Sequence, residues 1–210
     1  MNNFNWELPY PSARPPIFAN NLVATSQPLA VQAGLSILGS GGNAVDAALA
    51  TAITLTVVEP NNNGIGSDAF ALIWDGKKLH GLNASGRSPE KLKVEHFTGE
   101  TRMPRLGWLA VTVPGAVSAW MALSDRFGTL PFADLFQAAI GYAEKGYQVG
   151  PKTAYYWKLA ETVYQDYDAF KDTFLSSGKA PGPGDLVRLP DHAKTLTAIA
   201  NSNGSEFYSG

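Results

Sequence analysis

The chain has 210 residues, 45% of them hydrophobic and only 16% charged, with a net charge of −2 at neutral pH. The 16 basic and 18 acidic residues form no basic block, which excludes the electrostatic footprint of a nucleic-acid binder, and the lack of cysteine excludes disulfides, thiolate metal sites and cysteine nucleophiles. A folded chain of this size buries roughly 70% of the surface its unfolded form exposes, and a charge content well below the usual ~25% points to extra buried surface, part of it facing another polypeptide.

Residues 1–22 are rich in Pro and Asn and read as an extended arm. No basic segment there leads into an apolar run, so no secretory leader is expected. The apolar stretch Ala47–Val58 is too short to span a bilayer. The expectation is a soluble cytoplasmic protein without a membrane partner.

Pro28 suits the first position of a helix, Ala30, Ala33, Ile37 and Leu38 mark its apolar face, and Gly41-Gly42 stop it. Asn43 can cap a second helix over Ala44–Val58, which is apolar on nearly all sides and therefore buried. Its one early acid, Asp46, sits near the positive helix end, and Glu59-Pro60 closes the element. A permissive loop, Asn61–Asp68, leads to a hairpin: strand Ala69–Trp74, turn Asp75-Gly76, return strand Lys78–Leu82. The polar turn Asn83–Glu90 follows, then a short helix near Leu92–Phe97 and a strand at Trp108–Val113. Beyond Pro114 the pattern is helical, over Ala116–Phe127, Phe132–Lys145, Lys152–Asp166 and Pro190–Ala200, with a Gly/Pro-rich linker at Ser176–Asp185. This order gives an α+β layered fold with a helix-rich C-terminal half. No closing element is evident at Phe207–Gly210.

Gly64-Ile65-Gly66-Ser67-Asp68-Ala69 matches a dinucleotide-binding pattern, but that mechanism needs a strand before the glycines and a helix after them. Here the order is reversed, so the segment reads as a helix-to-strand turn, and no cofactor is expected. In the turn after the hairpin, Arg87 offers a planar cationic fork suited to a carboxylate, beside Asn83, Ser85 and Ser88, and Gly86 would allow close backbone approach to a ligand. An ordinary solvated arginine is the competing reading of the same residues. Asp46 and Glu59 read as helix-end or network residues rather than catalytic acids. His80, His96 and His192 lie in unrelated contexts, at no metal-motif spacing, and neither a Ser/His/Asp set nor a G-x-S-x-G elbow can be assembled. No catalytic centre is legible in these residues.

The blocks Val23-Ala-Thr-Ser-Gln-Pro-Leu-Ala30, Gly41-Gly-Asn-Ala-Val-Asp-Ala47, Val57-Val-Glu-Pro60 and Val111-Thr-Val-Pro-Gly-Ala116 resemble the γ-glutamyltranspeptidase family. So do Arg126–Pro131, Glu144–Val149 and Glu206-Phe-Tyr-Ser-Gly210, so the resemblance runs in order along nearly the whole chain. It implies an N-terminal-nucleophile hydrolase fold, a four-layer αββα sandwich of which residues 23–210 would be a partial large-subunit domain. It also implies a precursor that cuts itself into a large and a small subunit. The new N-terminal threonine of the small subunit is the nucleophile and its own α-amine the base. The γ-glutamyl group then passes from a glutathione-like donor to water, an amino acid or a peptide.

That threonine and its processing motif have no counterpart here, so the catalytic residues are expected outside this chain, in a small-subunit partner. Family members that use glutathione hold the donor α-carboxylate with an arginine in an Arg-Glu-x-x-Pro context in the loop after the hairpin. Aligned on Pro89, that position is Ser85, and the arginine here is Arg87. The resemblance is therefore to a signal-less cytoplasmic branch with a Ser-Gly-Arg-x-Pro turn. It implies substrate contacts from Asn83, Ser85 and Arg87 and a γ-glutamyl or other amide donor, and Ser85 at the arginine position leaves the use of glutathione itself open. An amidase or β-lactam acylase, or a non-catalytic fragment, are the alternatives.

Overall fold

The computed structural model describes residues 16–175 and 178–210. Residues 1–15 of the expected arm lie outside these, as do Ser176 and Ser177 of the expected linker. Residues 16–22 carry no helix or strand, and Ile17 and Phe18 are exposed.

Helix α1 (Pro28–Gly39) has Pro28 in its first turn, and the Gln27 side chain accepts from the amides of Leu29 and Ala30. Helix α2 (Ala44–Val58) begins with a capping box: Asn43 Oδ1 accepts from the amides of Val45 and Asp46 at 2.8 and 3.0 Å, and the Asp46 carboxylate accepts from the Asn43 amide at 2.9 Å. Asp46 is fully buried. It also accepts from the Thr129 amide at 3.1 Å and the Thr129 hydroxyl at 2.6 Å. The early acid thus starts one helix and pins a loop more than eighty residues away. Ile53, Val57 and Val58 are buried completely, while Thr51, Thr54 and Thr56 return their hydroxyls to carbonyls of their own helix at 2.7 Å. Buried hydroxyls satisfied in this way cost little, so this helix can occupy the centre of the core.

Strands β1 (Ala69–Trp74) and β2 (Leu79–Ala84) pair antiparallel, from Ala69 opposite Ala84 to Trp74 opposite Leu79. Asp75 closes the turn by accepting from the amides of Lys77 and Lys78 at 2.8 Å and from His80 Nε2 at 2.7 Å. Helix α3 (Ala116–Phe127) packs against both this hairpin and α2. The half-buried hairpin face carries Ala69, Ala71, Ile73, Leu82 and Ala84. The opposite face presents Phe70, Leu72, Trp74 and Leu79, which are 70%, 77%, 65% and 57% exposed. An apolar sheet face left open to this degree is an association surface.

The expected helix Phe132–Lys145 opens as a 3₁₀ turn over Phe132–Phe136 and continues as α4 (Gln137–Lys145). Leu135 and Phe136 in that turn fill the core. After β3 (Tyr147–Gln148) come α5 (Pro151–Val163), α6 (Asp168–Phe174), β4 (Leu186–Val187), α7 (Pro190–Asn201) and α8 (Ser205–Ser209). Helices α1, α3 and α4 surround α2, and α7 packs on α4. Strands β3 and β4 form a two-residue ribbon, Tyr147 opposite Val187 and Gln148 opposite Leu186. Tyr147 is anchored there by donating its hydroxyl to the carbonyl of Val57 at 2.9 Å.

Two expectations are corrected. The strand expected at Trp108–Val113 is a 3₁₀ turn over Trp108–Ala110 followed by extended backbone. It has no partner strand among the described residues, and Trp108 is 89% exposed, so the apolar alternation there faces outward. The short helix near Leu92–Phe97 is a 3₁₀ turn over Val94–Phe97. Among the described residues no helix is long and apolar enough to cross a membrane.

Candidate functional site

Three loops meet beside the N-terminus of α3. From the loop after α2, the Ser67 carbonyl accepts from the amides of Gly115 and Ala116 at 3.1 and 2.8 Å. From the turn after β2, the Arg87 carbonyl accepts from the Val113 amide at 2.9 Å. The Thr112 hydroxyl lies 3.3 Å from the Asp68 carboxylate and 3.4 Å from the Ser85 carbonyl, and donates to one of them at a time. Two glycines make the fit possible. Gly86 sits at φ +77, where a Cβ would also overlap the Val113 carbonyl, and a Cβ on Gly115 would overlap the Ala84 carbonyl. Gly86 makes its close approach to the neighbouring loop of its own chain, and it also lines the adjacent cleft.

Between these loops and α3 lies an open cleft of about 590 Å³, lined by Asn83, Ser85, Arg87, Pro114, Ser118 and Tyr208 among others. The three site residues expected from the sequence thus share one wall. Asn83 Oδ1 accepts from the Ser85 amide at 3.0 Å, a local turn that fixes the start of the segment. The Arg87 side chain is exposed and has no acidic partner at ion-pair distance among the described residues. Its backbone is fixed, while among the described residues its guanidinium forms no ion pair.

The other wall was not foreseen. Tyr208 comes from α8, donates its hydroxyl to the Pro114 carbonyl at 2.8 Å and accepts from the Ser118 amide at 2.9 Å. The sequence signal was the Glu206-Phe-Tyr-Ser-Gly210 block, which gave no hint of where Tyr208 would lie.

Chemically, the cleft can hold and orient an anionic group but offers no activated nucleophile among the described residues. The Ser118 hydroxyl donates to the Gly115 carbonyl at 2.7 Å, with no base beside it. His80 is engaged elsewhere, with Nε2 on Asp75 at 2.7 Å and Nδ1 3.1 Å from Arg126. An arginine only donates, so Nδ1 accepts and the Nε2 proton goes to Asp75. That hydrogen bond, with the Lys78 and Lys77 amides, pulls the Asp75 carboxyl down to about 2. Glu59, at the end of α2, accepts from Ser26, Asn62 and Asn63 and is a network residue. Gly64 and Gly66 lie in the turn from α2 to β1, with ample room around both.

A model of the family described as gamma-glutamyltranspeptidase matches residues 30–210. The chain belongs to the γ-glutamyltranspeptidase family. It is 36% identical over 202 residues to the glutathione hydrolase-like YwrD proenzyme of Bacillus subtilis, covering 92% of this chain and 38% of that protein. It is 38% identical over 192 residues to the oxamate amidohydrolase proenzyme of Klebsiella pneumoniae, covering 87% of this chain and 36% of that protein. The crystal structure of a cephalosporin acylase from Bacillus halodurans superposes with a TM-score of 0.93 at 50% identity, covering all of this chain and 41% of that one. The chain therefore spans well under half the length of these relatives. Its fold is the α+β, N-terminal-nucleophile hydrolase fold, of which these residues form a helical layer and one hairpin, with a helix-rich C-terminal half.

Proposed function

We propose that this chain supplies the large-subunit portion of a γ-glutamyltransferase or hydrolase. The enzyme moves a γ-glutamyl or related acyl group from an amide donor to water or an amino acid. The nucleophile is the N-terminal threonine of a small subunit, outside these 210 residues. The observation that carries this reading is a cleft whose backbone is fixed by the neighbouring loops and whose wall presents the Arg87 fork, which has no acidic partner among the described residues. Such a cleft fits a donor-binding half-site that is completed by another subunit. The proenzyme names of both curated relatives support a precursor that is cut. In this reading Arg87 takes the donor carboxylate, and Ser85 and Asn83 shape the turn beside it. Residues 23–210 belong to the large-subunit domain, and the enzyme works in the cytoplasm, which cell fractionation tests.

A second reading, an amidase or β-lactam side-chain acylase, is favoured by Ser85 standing at the family's arginine position and by the likeness to the cephalosporin acylase. One comparison separates the two. The processed enzyme carrying Arg87 or Arg87→Ala is assayed on a γ-glutamyl anilide and on a 4-aminobutyryl anilide, which keeps the amine but lacks the α-carboxylate. A charge-assisted bond to that carboxylate predicts a KM rise of about tenfold or more for the γ-glutamyl donor alone. Faster turnover of the 4-aminobutyryl donor by the parent, indifferent to Arg87, would establish the acylase reading instead.

A further inference from the structure

The cleft's second wall suggests what holds its first wall in place. A helix leaves its first amides without partners, and the residue at the N-cap of α3 is Gly115, which has no side chain to cap them. The Ser67 carbonyl takes the amides of Gly115 and Ala116, and the phenol of Tyr208 takes that of Ser118. The same phenol donates to the Pro114 carbonyl, one residue from Val113, whose amide binds the Arg87 carbonyl. A single side chain from the far end of the sequence thus clamps both sides of the bend that supports the Ser85–Arg87 turn.

We propose that Tyr208 is a positioning residue. By capping α3 and fixing Pro114, it sets the placement of Ser85 and Arg87 toward the donor. This rests on the donor-site reading given above. Tyr208 is not assigned a direct substrate contact, because its only proton and one of its oxygen lone pairs are already used within the chain. Helix α8 has its own seat: a Cβ on Gly204, just before it, would overlap Met121 of α3, and Phe207 packs against the core. Removing the hydroxyl alone therefore leaves the helix in place.

The test is Tyr208→Phe in the processed enzyme, read by amide hydrogen exchange and by steady-state kinetics. Loss of one net hydrogen bond should accelerate exchange at Ser118 about fivefold or more. Acceleration must reach the Val113 amide, which Tyr208 does not touch, and KM for the donor should rise about fivefold with kcat unchanged. Unchanged exchange at Val113 overturns the proposal. So does an unchanged KM in an enzyme where Arg87→Ala raises KM, an outcome that leaves the donor-site reading standing. If the parent transfers no acyl group, the functional reading has failed, and exchange at Val113 alone decides whether Tyr208 positions the turn.

Discussion

The open face of the β1–β2 hairpin carries the sharpest physical prediction. Phe70, Leu72, Trp74 and Leu79 are 70%, 77%, 65% and 57% exposed and lie side by side on one face. Fully burying a large apolar side chain is worth about 1.5–3 kcal/mol, so covering four that are about two-thirds exposed is worth roughly 4–8 kcal/mol. That is comparable to the lower estimates of the ~4–15 kcal/mol lost on association, enough to make isolated chains self-associate at working concentrations. Residues 1–210 expressed alone should therefore run as oligomers or precipitate, and should bind a hydrophobic dye. The double variant Leu72→Thr/Trp74→Thr keeps β-propensity while removing much of the apolar surface, and should shift the chain toward monomer with an unchanged circular dichroism spectrum. Size-exclusion chromatography with light scattering reads both. A wild-type chain that is a monodisperse, cooperatively unfolding monomer would refute the reasoning.

Three further outcomes follow from particular contacts. Asp46→Asn preserves shape but turns an amino group toward donors on Asn43 or Thr129; it should lower stability by roughly 2–3 kcal/mol, and an unchanged urea midpoint would contradict the role given to the capping box. Burial against Phe174 depresses the His192 imidazole below its ordinary range. The stability linked to it is full above about 6.5 and falls as pH drops through the depressed value; the midpoint should decline over that window, and His192→Gln should flatten the decline. Asp75, held at about 2, should keep the Lys77 and Lys78 amides protected above about pH 4 and release them as pH falls through 2; a carboxyl titrating near its ordinary value by NMR would show the turn is looser than described.

The parts of the fold legible in the sequence were those governed by local rules. Asn43 as cap, Asp46 three residues on and Glu59-Pro60 as the stop delimit α2 without any tertiary information, and Asp75-Gly76 does the same for the hairpin. What escaped notice depends on distant partners. Strands β3 and β4 are two residues each, paired across a separation of about forty, and no local pattern announces them. Helix α8 has five residues, too few for periodicity, and is seated through Met121 and Phe207. Trp108–Val113 shows the converse failure, since apolar alternation cannot reveal whether a neighbouring strand exists to receive it. The same division holds in the cleft. Asn83, Ser85 and Arg87 stand together in one turn of the sequence, so their sharing one wall follows from local chain order, whereas Ser118 and Tyr208 meet only through the fold.

The most direct test of a cut precursor with its nucleophile outside these residues is intact mass spectrometry of the native protein, with N-terminal sequencing of every species. A second polypeptide beginning with threonine, associated with the one that carries residues 1–210, is the expected result. A single uncleaved species with no threonine terminus would contradict it.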